Sequence, residues 1–208
     1  MKRKTAPPPG RLIVLSSPSG GGKTTLAHRL LAQDKNILRS VSATTRKPRA
    51  GEKNGRDYFF LSRARFEALR KKKAFLEWAP VHGEFYGTPK PWVLSQLQKG
   101  RDVLLVIDVQ GGRSIRRLYP EALLIFLVPP SLKVLRERLA GRDSEDEASL
   151  KRRLSAARAE MKAGKSYPHR VVNDRLSLAV RETRQIIRDE RKKALLRGPL
   201  SRRRPPKA

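Results

Sequence analysis

Arg11-Leu12-Ile13-Val14-Leu15-Ser16-Ser17-Pro18-Ser19-Gly20-Gly21-Gly22-Lys23-Thr24-Thr25 is the stretch that decides the fold. Its apolar run, Leu12 to Leu15, is short and bounded by Ser, Pro and Gly, as a buried parallel strand would be. After Lys23-Thr24 a helical pattern opens, with Leu26, Leu30 and Leu31 on one side. Strand, Gly-rich loop, then helix is the setting a phosphate-binding P-loop needs. Glycines let successive N–H groups converge on phosphate oxygens, and a helix N-terminus adds its free N–H groups and positive dipole end. Ser17-Pro18-Ser19-Gly20-Gly21-Gly22 then cradles the phosphates with Thr25, Lys23 reaches the terminal ones, and the Thr24 hydroxyl meets Mg²⁺. The motif asks for Gly at 17 and the chain has Ser, a residue that tolerates most turn geometries. A loop for a mononucleotide such as ATP is the reading.

Outward from that loop, apolar runs alternate with helical patterns. Strands are expected at 12–16, 37–42, 103–109, 123–128 and near 170–172, and helices at 24–33, 62–72, 90–98, 131–140, 147–162 and 178–196. This alternation argues for an α/β fold with a parallel sheet covered on both faces. Residues 49–61 differ, with turn signals at Gly51 and Asn54-Gly55 before Tyr58-Phe59-Phe60-Leu61. Together with Phe75–Val81 and Phe85-Tyr86 they read as a small antiparallel insertion.

The 208 residues include 48 Lys and Arg against 19 Asp and Glu, a formal charge of +29. Eleven of the basic residues lie in Met1–Lys4 and Arg191–Ala208, which hold no acidic residue, so most of the excess belongs to the middle of the chain. Such a surface attracts polyanions, and nucleic acid or an acidic surface could meet the basic tails, but charge alone selects no partner. No RRM, KH or zinc-finger signature is present, and His28, His82 and His169 have no metal-ligand spacing. With no Cys, disulfides and thiolate chemistry are excluded. No apolar run approaches the roughly 20 residues of a membrane span, and the basic, Pro-rich start is not a secretory signal. The expectation is a cytoplasmic protein.

Beyond the loop, chemistry-bearing residues cluster in three places. Ser42-Ala43-Thr44-Thr45-Arg46-Lys47-Pro48-Arg49 with Tyr58 could clamp a phosphate by charge-assisted hydrogen bonds. Phe75-Leu76-Glu77-Trp78-Ala79 and Tyr86-Gly87-Thr88 set one carboxylate among apolar residues, followed by a phenol. Asp108 stands near the C-terminal end of the run 103–109, where open α/β sheets bind ligands. The motifs S-x-T-T-R-x-P-R-x-G-E, F-L-E-W-A and Y-G-T, over roughly residues 11–190, resemble the guanylate kinase family far more specifically than the P-loop does.

That resemblance implies a P-loop NTPase-type core (11–39, 91–138, 170–190), a GMP-binding insertion (40–90) and a helical lid (139–169), with tails at 1–10 and 191–208. It implies transfer of the γ-phosphoryl of ATP to GMP with Mg²⁺. Ser42 and Glu77 would contact the base of GMP, Arg46, Arg49, Tyr58 and Tyr86 would hold its phosphate, Thr88 would add a base or phosphate contact, and Asp108 would orient the Mg²⁺ shell or the GMP side. Glu77 suits guanine because N1–H and N2–H₂ are adjacent donors that one carboxylate can accept together. Arg142 and Arg153 match the lid arginines and, with Lys23 and Arg49, would neutralise charge in the transfer. Asn173 and Asp174 resemble the adenine-side turn, while Thr24 and Asp108 are the metal-side residues. Val106 stands where family members commonly read Asp. Two alternatives remain: the same fold acting on a phosphorylated sugar, and a non-catalytic interaction module; the purine-directed set and the intact Gly-Lys-Thr argue against them in turn.

Overall fold

Leu12 and Val14 face one side of a sheet and Ile13 and Leu15 the other, and all four are buried. A strand buried on both faces needs helices on both faces, and the chain supplies them. The computed structural model describes residues 9–81, 83–140 and 147–196. In chain order, β1 (Leu12–Ser16), α1 (Lys23–Gln33) and β2 (Ile37–Arg39) come first, followed by β3 (Ala43–Thr44), β4 (Phe59–Phe60), α2 (Arg63–Lys71), β5 (Phe75–Val81) and β6 (Glu84–Pro89). Then come α3 (Lys90–Gln98), β7 (Asp102–Val106), α4 (Val109–Leu118), β8 (Leu123–Val128), α5 (Leu132–Ala140), α6 (Glu147–Gly164), β9 (His169–Val172) and α7 (Leu176–Leu196).

The main sheet has the order β2-β7-β1-β8-β9 and every pairing in it is parallel. Ile13 and Leu15 pack with Leu26 and Leu30 of α1 and Ile187 of α7, while Leu12 and Val14 pack with Val93 of α3 and Ile115 of α4. Parallel strands align their C-terminal ends, so the loops after β1, β7 and β9 open at the same edge. The second sheet, β4-β3-β6-β5, is mixed where an antiparallel one was expected: β3 pairs β4 parallel and β6 antiparallel. The chain from β3 must cross the long 45–58 segment before returning as β4, and that crossover permits the parallel pairing.

Three further expectations are corrected. The strand expected at 37–42 ends at Arg39, because the chain leaves the main sheet to enter the second one at Ala43. The strand expected at 103–109 ends at Val106, and a helix, α4, follows that the sequence reading did not anticipate. Gly111 and Gly112 in its first turn disfavour a helix by about 1 kcal/mol each relative to Ala. The Asp108 side chain compensates in part by capping the helix, accepting from Gly111 N–H at 2.8 Å. Finally, α7 runs through the boundary placed at 190, and Arg191 is tied into the fold. The tail residues 1–8 and 197–208 lie outside the described residues.

The face Leu150, Leu154, Ala157 and Met161, spaced by four, three and four, packs α6 against Leu135 and Leu139 of α5. Gly20 of the Gly-rich loop lies under those same leucines: a Cβ there would stand 3.0 Å from a Leu139 methyl. The α5–α6 pair is thus seated directly on the loop. Among the described residues no helix is long and apolar enough to cross a membrane.

Candidate active site

The cleft lies between the two sheets, with the Gly-rich loop on one wall and the second sheet opposite. Gly20 and Gly22 take φ of +78° and +92°, which only glycine adopts without strain. Ser17 does not need that freedom, and its hydroxyl donates to Pro18 O at 2.8 Å. A Cβ on residue 21 would meet the Ser17 Oγ at 2.6 Å, so Gly21 makes room for the serine that departs from the motif. Gly21 N–H closes a turn onto Pro18 O at 2.9 Å. The N–H groups of Gly20, Gly22, Lys23, Thr24 and Thr25 have no partner among the described residues, leaving a cluster of donors at a helix N-terminus. Lys23 Nζ donates to Ser17 O at 2.8 Å. Burial lowers its pKa, opposed by the charges of Glu160 and Asp108.

Asn173 follows β9 and is buried; its amide donates to Gly21 O at 2.9 Å, and a Cβ on Gly22 would clash with it at 2.4 Å. It therefore buttresses the loop rather than lining the cleft, and the exposed Asp174 does not line it either.

On the opposite wall Glu77 is 7% exposed. Thr88, also buried, donates its hydroxyl to Glu77 Oε1 at 2.5 Å, and Thr88 itself does not line the cleft. Gly111 sits against the other oxygen: a Cβ there would be 2.6 Å from Glu77 Oε2. The carboxylate is thus held from two sides. Burial, with the charge of Asp108 adding to it, pushes its pKa up from 4.5 to about 7. Asp108 lines the cleft while its Oδ1 caps α4 and its Oδ2 accepts from Gln110 at 3.2 Å.

Ser42, Arg49, Tyr58 and Tyr86 line the cleft as expected. Arg46 does not; it stands behind them, donating to Glu52 Oε1 at 2.9 Å and to the Tyr86 hydroxyl at 3.2 Å, with its guanidinium 5.4 Å from the Tyr58 ring centre. Glu52 also accepts from Arg49 N–H at 2.7 Å, fixing the turn that carries both arginines. The Arg49 side chain makes no hydrogen bond or ion pair among the described residues, although its charge helps to lower the Glu52 pKa. Sequence reasoning gave Glu52 no role, although its spacing of three from Arg49 and six from Arg46 was legible. It also missed Glu160, a cleft residue whose only sequence mark is its place on α6. Arg153 is half-buried on α6, two turns before Glu160, and is not part of the cleft wall. Arg142 lies outside the described residues.

For a hard cation the cleft offers the Thr24 hydroxyl and the Asp108 carboxylate. Among the described residues no group of three His, Cys, Asp or Glu could form a cage. An oxygen-only, incomplete donor set fits a metal that arrives with phosphate oxygens and keeps its waters, as Mg²⁺ does.

Comparison with known proteins agrees with this geometry. A family model described as Guanylate kinase matches residues 9–190. The chain is 46% identical over 179 residues to a guanylate kinase of Dechloromonas aromatica, covering 86% of this chain and 89% of that one. It is 49% identical over 180 residues to one of Coxiella burnetii, covering 86% and 87%. Among solved structures, guanylate kinase from Anaplasma phagocytophilum superposes with a TM-score of 0.75 at 35% identity, covering 88% of this chain and 87% of that one. With a matching family model over most of its length and a cleft that joins an anion-binding loop to a buried carboxylate, this chain belongs to the guanylate kinase family.

Proposed function

We propose that the chain transfers the γ-phosphoryl group of ATP to GMP, releasing ADP and GDP. One observation carries this most directly: Glu77, buried and held by Thr88, faces the same cleft as five N–H groups of the Gly-rich loop that have no partner among the described residues. The loop donors and Lys23 take the ATP phosphates. Glu77 takes guanine N1–H and N2–H₂, and Ser42 takes O6. Adenine lacks that donor pair and would leave a buried carboxylate unpaired, which is how the site rejects AMP.

Arg49, Tyr58 and Tyr86 receive the GMP phosphate, with Arg46 and Glu52 orienting them from behind. An oxygen of that phosphate attacks the γ-phosphorus while the bond to the β–γ bridging oxygen breaks and ADP leaves. The nucleophile is already anionic, so positioning and charge neutralisation replace a dedicated base. Thr24 and Asp108 would hold Mg²⁺, which would supply part of the neutralisation when bound with ATP. Arg153 belongs to a lid (139–169) that, with residues 40–90, would close over the core and exclude water, and Arg142 keeps the role of a second lid arginine that the family resemblance implies. Asn173 and Asp174, outside the cleft wall, would serve the adenine side as the turn after β9, Asn173 through the loop it supports. A cytoplasmic location is the reading that goes with ATP and GMP as substrates.

A coupled assay for nucleoside diphosphate formation tests the reading across GMP, AMP, UMP, CMP and ribose phosphates. GMP should exceed the others by at least ~100-fold in kcat/KM, the scale on which a site built for hydrogen bonds rejects a mismatched partner. Equal use of AMP would discard the role of Glu77.

A further inference from the structure

The Gly-rich loop divides its N–H groups unevenly. Five have no partner among the described residues, while Ser19 N–H is donated at 3.0 Å to a carboxylate, Glu160 Oε2. A carboxylate suits the positive end of this helix and the nearby Lys23, but it occupies a donor that a phosphate could otherwise take, so its place there calls for a structural account. Packing delivers it. Leu154, Ala157 and Met161 lock α6 onto α5, whose Leu135 and Leu139 rest on Gly20. One turn beyond Glu160, Gly164 lies so close to the Phe126 ring that a Cβ would stand 2.4 Å from it. With α6 fixed on both sides of residue 160, the carboxylate arrives at Ser19 as part of the architecture.

We propose that Glu160 is a positioning residue for nucleotide binding: by accepting Ser19 N–H it fixes the tip of the Gly-rich loop and ties α6 to it. The fixed tip keeps the remaining N–H groups converged on one seat. The same bond couples the loop to the helix that carries Arg153, so the seat and the lid helix share one frame. A charge-assisted bond to a backbone N–H is strong enough to hold a loop rich in glycine, which loses much freedom when it orders. The inference rests on the proposed function only in that the loop binds nucleotide phosphates; the acceptor need not be GMP.

The test is calorimetric titration of Mg·ADP into the wild-type chain, Glu160→Ala and Glu160→Gln, with KM measured for both substrates. Glu160→Ala should weaken ADP about tenfold, the scale of one charge-assisted hydrogen bond, and raise KM for ATP while KM for GMP stays within about twofold. Glu160→Gln keeps an acceptor oxygen without the charge and should recover part of the lost affinity, falling between Ala and wild type. Wild-type affinity in Glu160→Ala would overturn the proposal, as would tighter ADP binding, which would make Glu160 a competitor of phosphate. A Gln variant as weak as Ala would also overturn it, since charge and not the N–H bond would then be at work. If ADP binding follows the expected pattern but the wild type transfers nothing to GMP, the tether stands and the acceptor assignment falls.

Discussion

Glu77 concentrates the conflict between stability and recognition in one carboxyl group. Burial pushes its pKa to about 7 from 4.5, so the folded protein keeps its proton where the unfolded chain has lost it. Stability from this group is therefore present below about pH 4.5 and is lost as pH rises through 7, by about 3 kcal/mol for a shift of that size. Guanine reverses the preference, because its two donors need the ionised form. Glu77→Gln should thus be more stable than wild type by about 3 kcal/mol at pH 8 in urea titrations, with the gap vanishing near pH 4. The same variant should lose about 2–4 kcal/mol in kcat/KM for GMP and little for ATP. A pH-independent stability gap would show that Glu77 is not the titrating group. Gly111 tests the same seat from the other side. In Gly111→Ala the new methyl would push the carboxylate, 2.6 Å away, out of line with the guanine edge. KM for GMP should rise about tenfold or more, as a displacement near 1 Å implies, while the helix itself is no less stable. Unchanged KM would mean that Glu77 has room to move.

At the scale of elements, the P-loop unit, the alternating strands and most helices were legible because burial on two faces and the 3.6-residue period leave plain marks. The α5–α6 stripe was legible for the same reason. What failed was α4, since two adjacent glycines argue against a helix, and only tertiary neighbours explain them. Gly111 admits Glu77, and Gly112 admits Tyr167, whose hydroxyl would be 1.8 Å from a Cβ there. Tyr167 carried no legible role, yet it donates to Ser16 Oγ at 2.9 Å, and Ser16 in turn donates to Asp108 O at 3.2 Å. That relay joins the ends of β1 and β7 just below the cleft. The pairing of β3 with β4 was illegible too, as two-residue strands have no periodicity to read. Gly112→Ala should cost about 3 kcal/mol, the upper range for overpacking a tight site. Combining it with Tyr167→Phe should cost less than the sum of the two, because the clashing oxygen is gone. Additive losses in thermal or urea unfolding would place the strain elsewhere.

Across the whole molecule, the cleft gathers at one edge of the main sheet while a charge network closes the opposite edge. Arg191 of α7 donates to Asp34 at the end of α1 and to Asp102 at the start of β7, both at 2.7 Å. Asp102 is 3% exposed and its other oxygen accepts Arg11 N–H, also at 2.7 Å, just ahead of β1. One guanidinium therefore links the last helix to the start of β7 and, through Asp102, to the start of β1, so the basic run that begins at residue 191 is anchored where it opens. A helix end rich in Lys and Arg looks like solvated charge until its acidic partners, 157 and 89 residues away in sequence, are brought beside it. Arg191→Ala strands a buried carboxylate and should destabilise the fold by about 2–4 kcal/mol, somewhat below the full cost of breaking a buried pair because the arginine is partly exposed. Burial tends to raise the Asp34 pKa, but the bonds from Arg191 and from Asn36 N–H, with the charges of Arg191 and Arg184, together outweigh it and hold the carboxyl below its ordinary 3.8. The contribution of the Asp34 pair is accordingly complete above about pH 4 and fades as pH falls further, so the gap between wild type and variant should narrow in acid. Ending the chain after Glu190 should reproduce the loss, whereas ending it after Leu196 should not. In both destabilised forms KM for GMP and ATP should hold at low temperature, since β7 carries about 15 Å of strand between Asp102 and the cleft. A shift in KM without a loss of stability would show that the network governs the site rather than the frame.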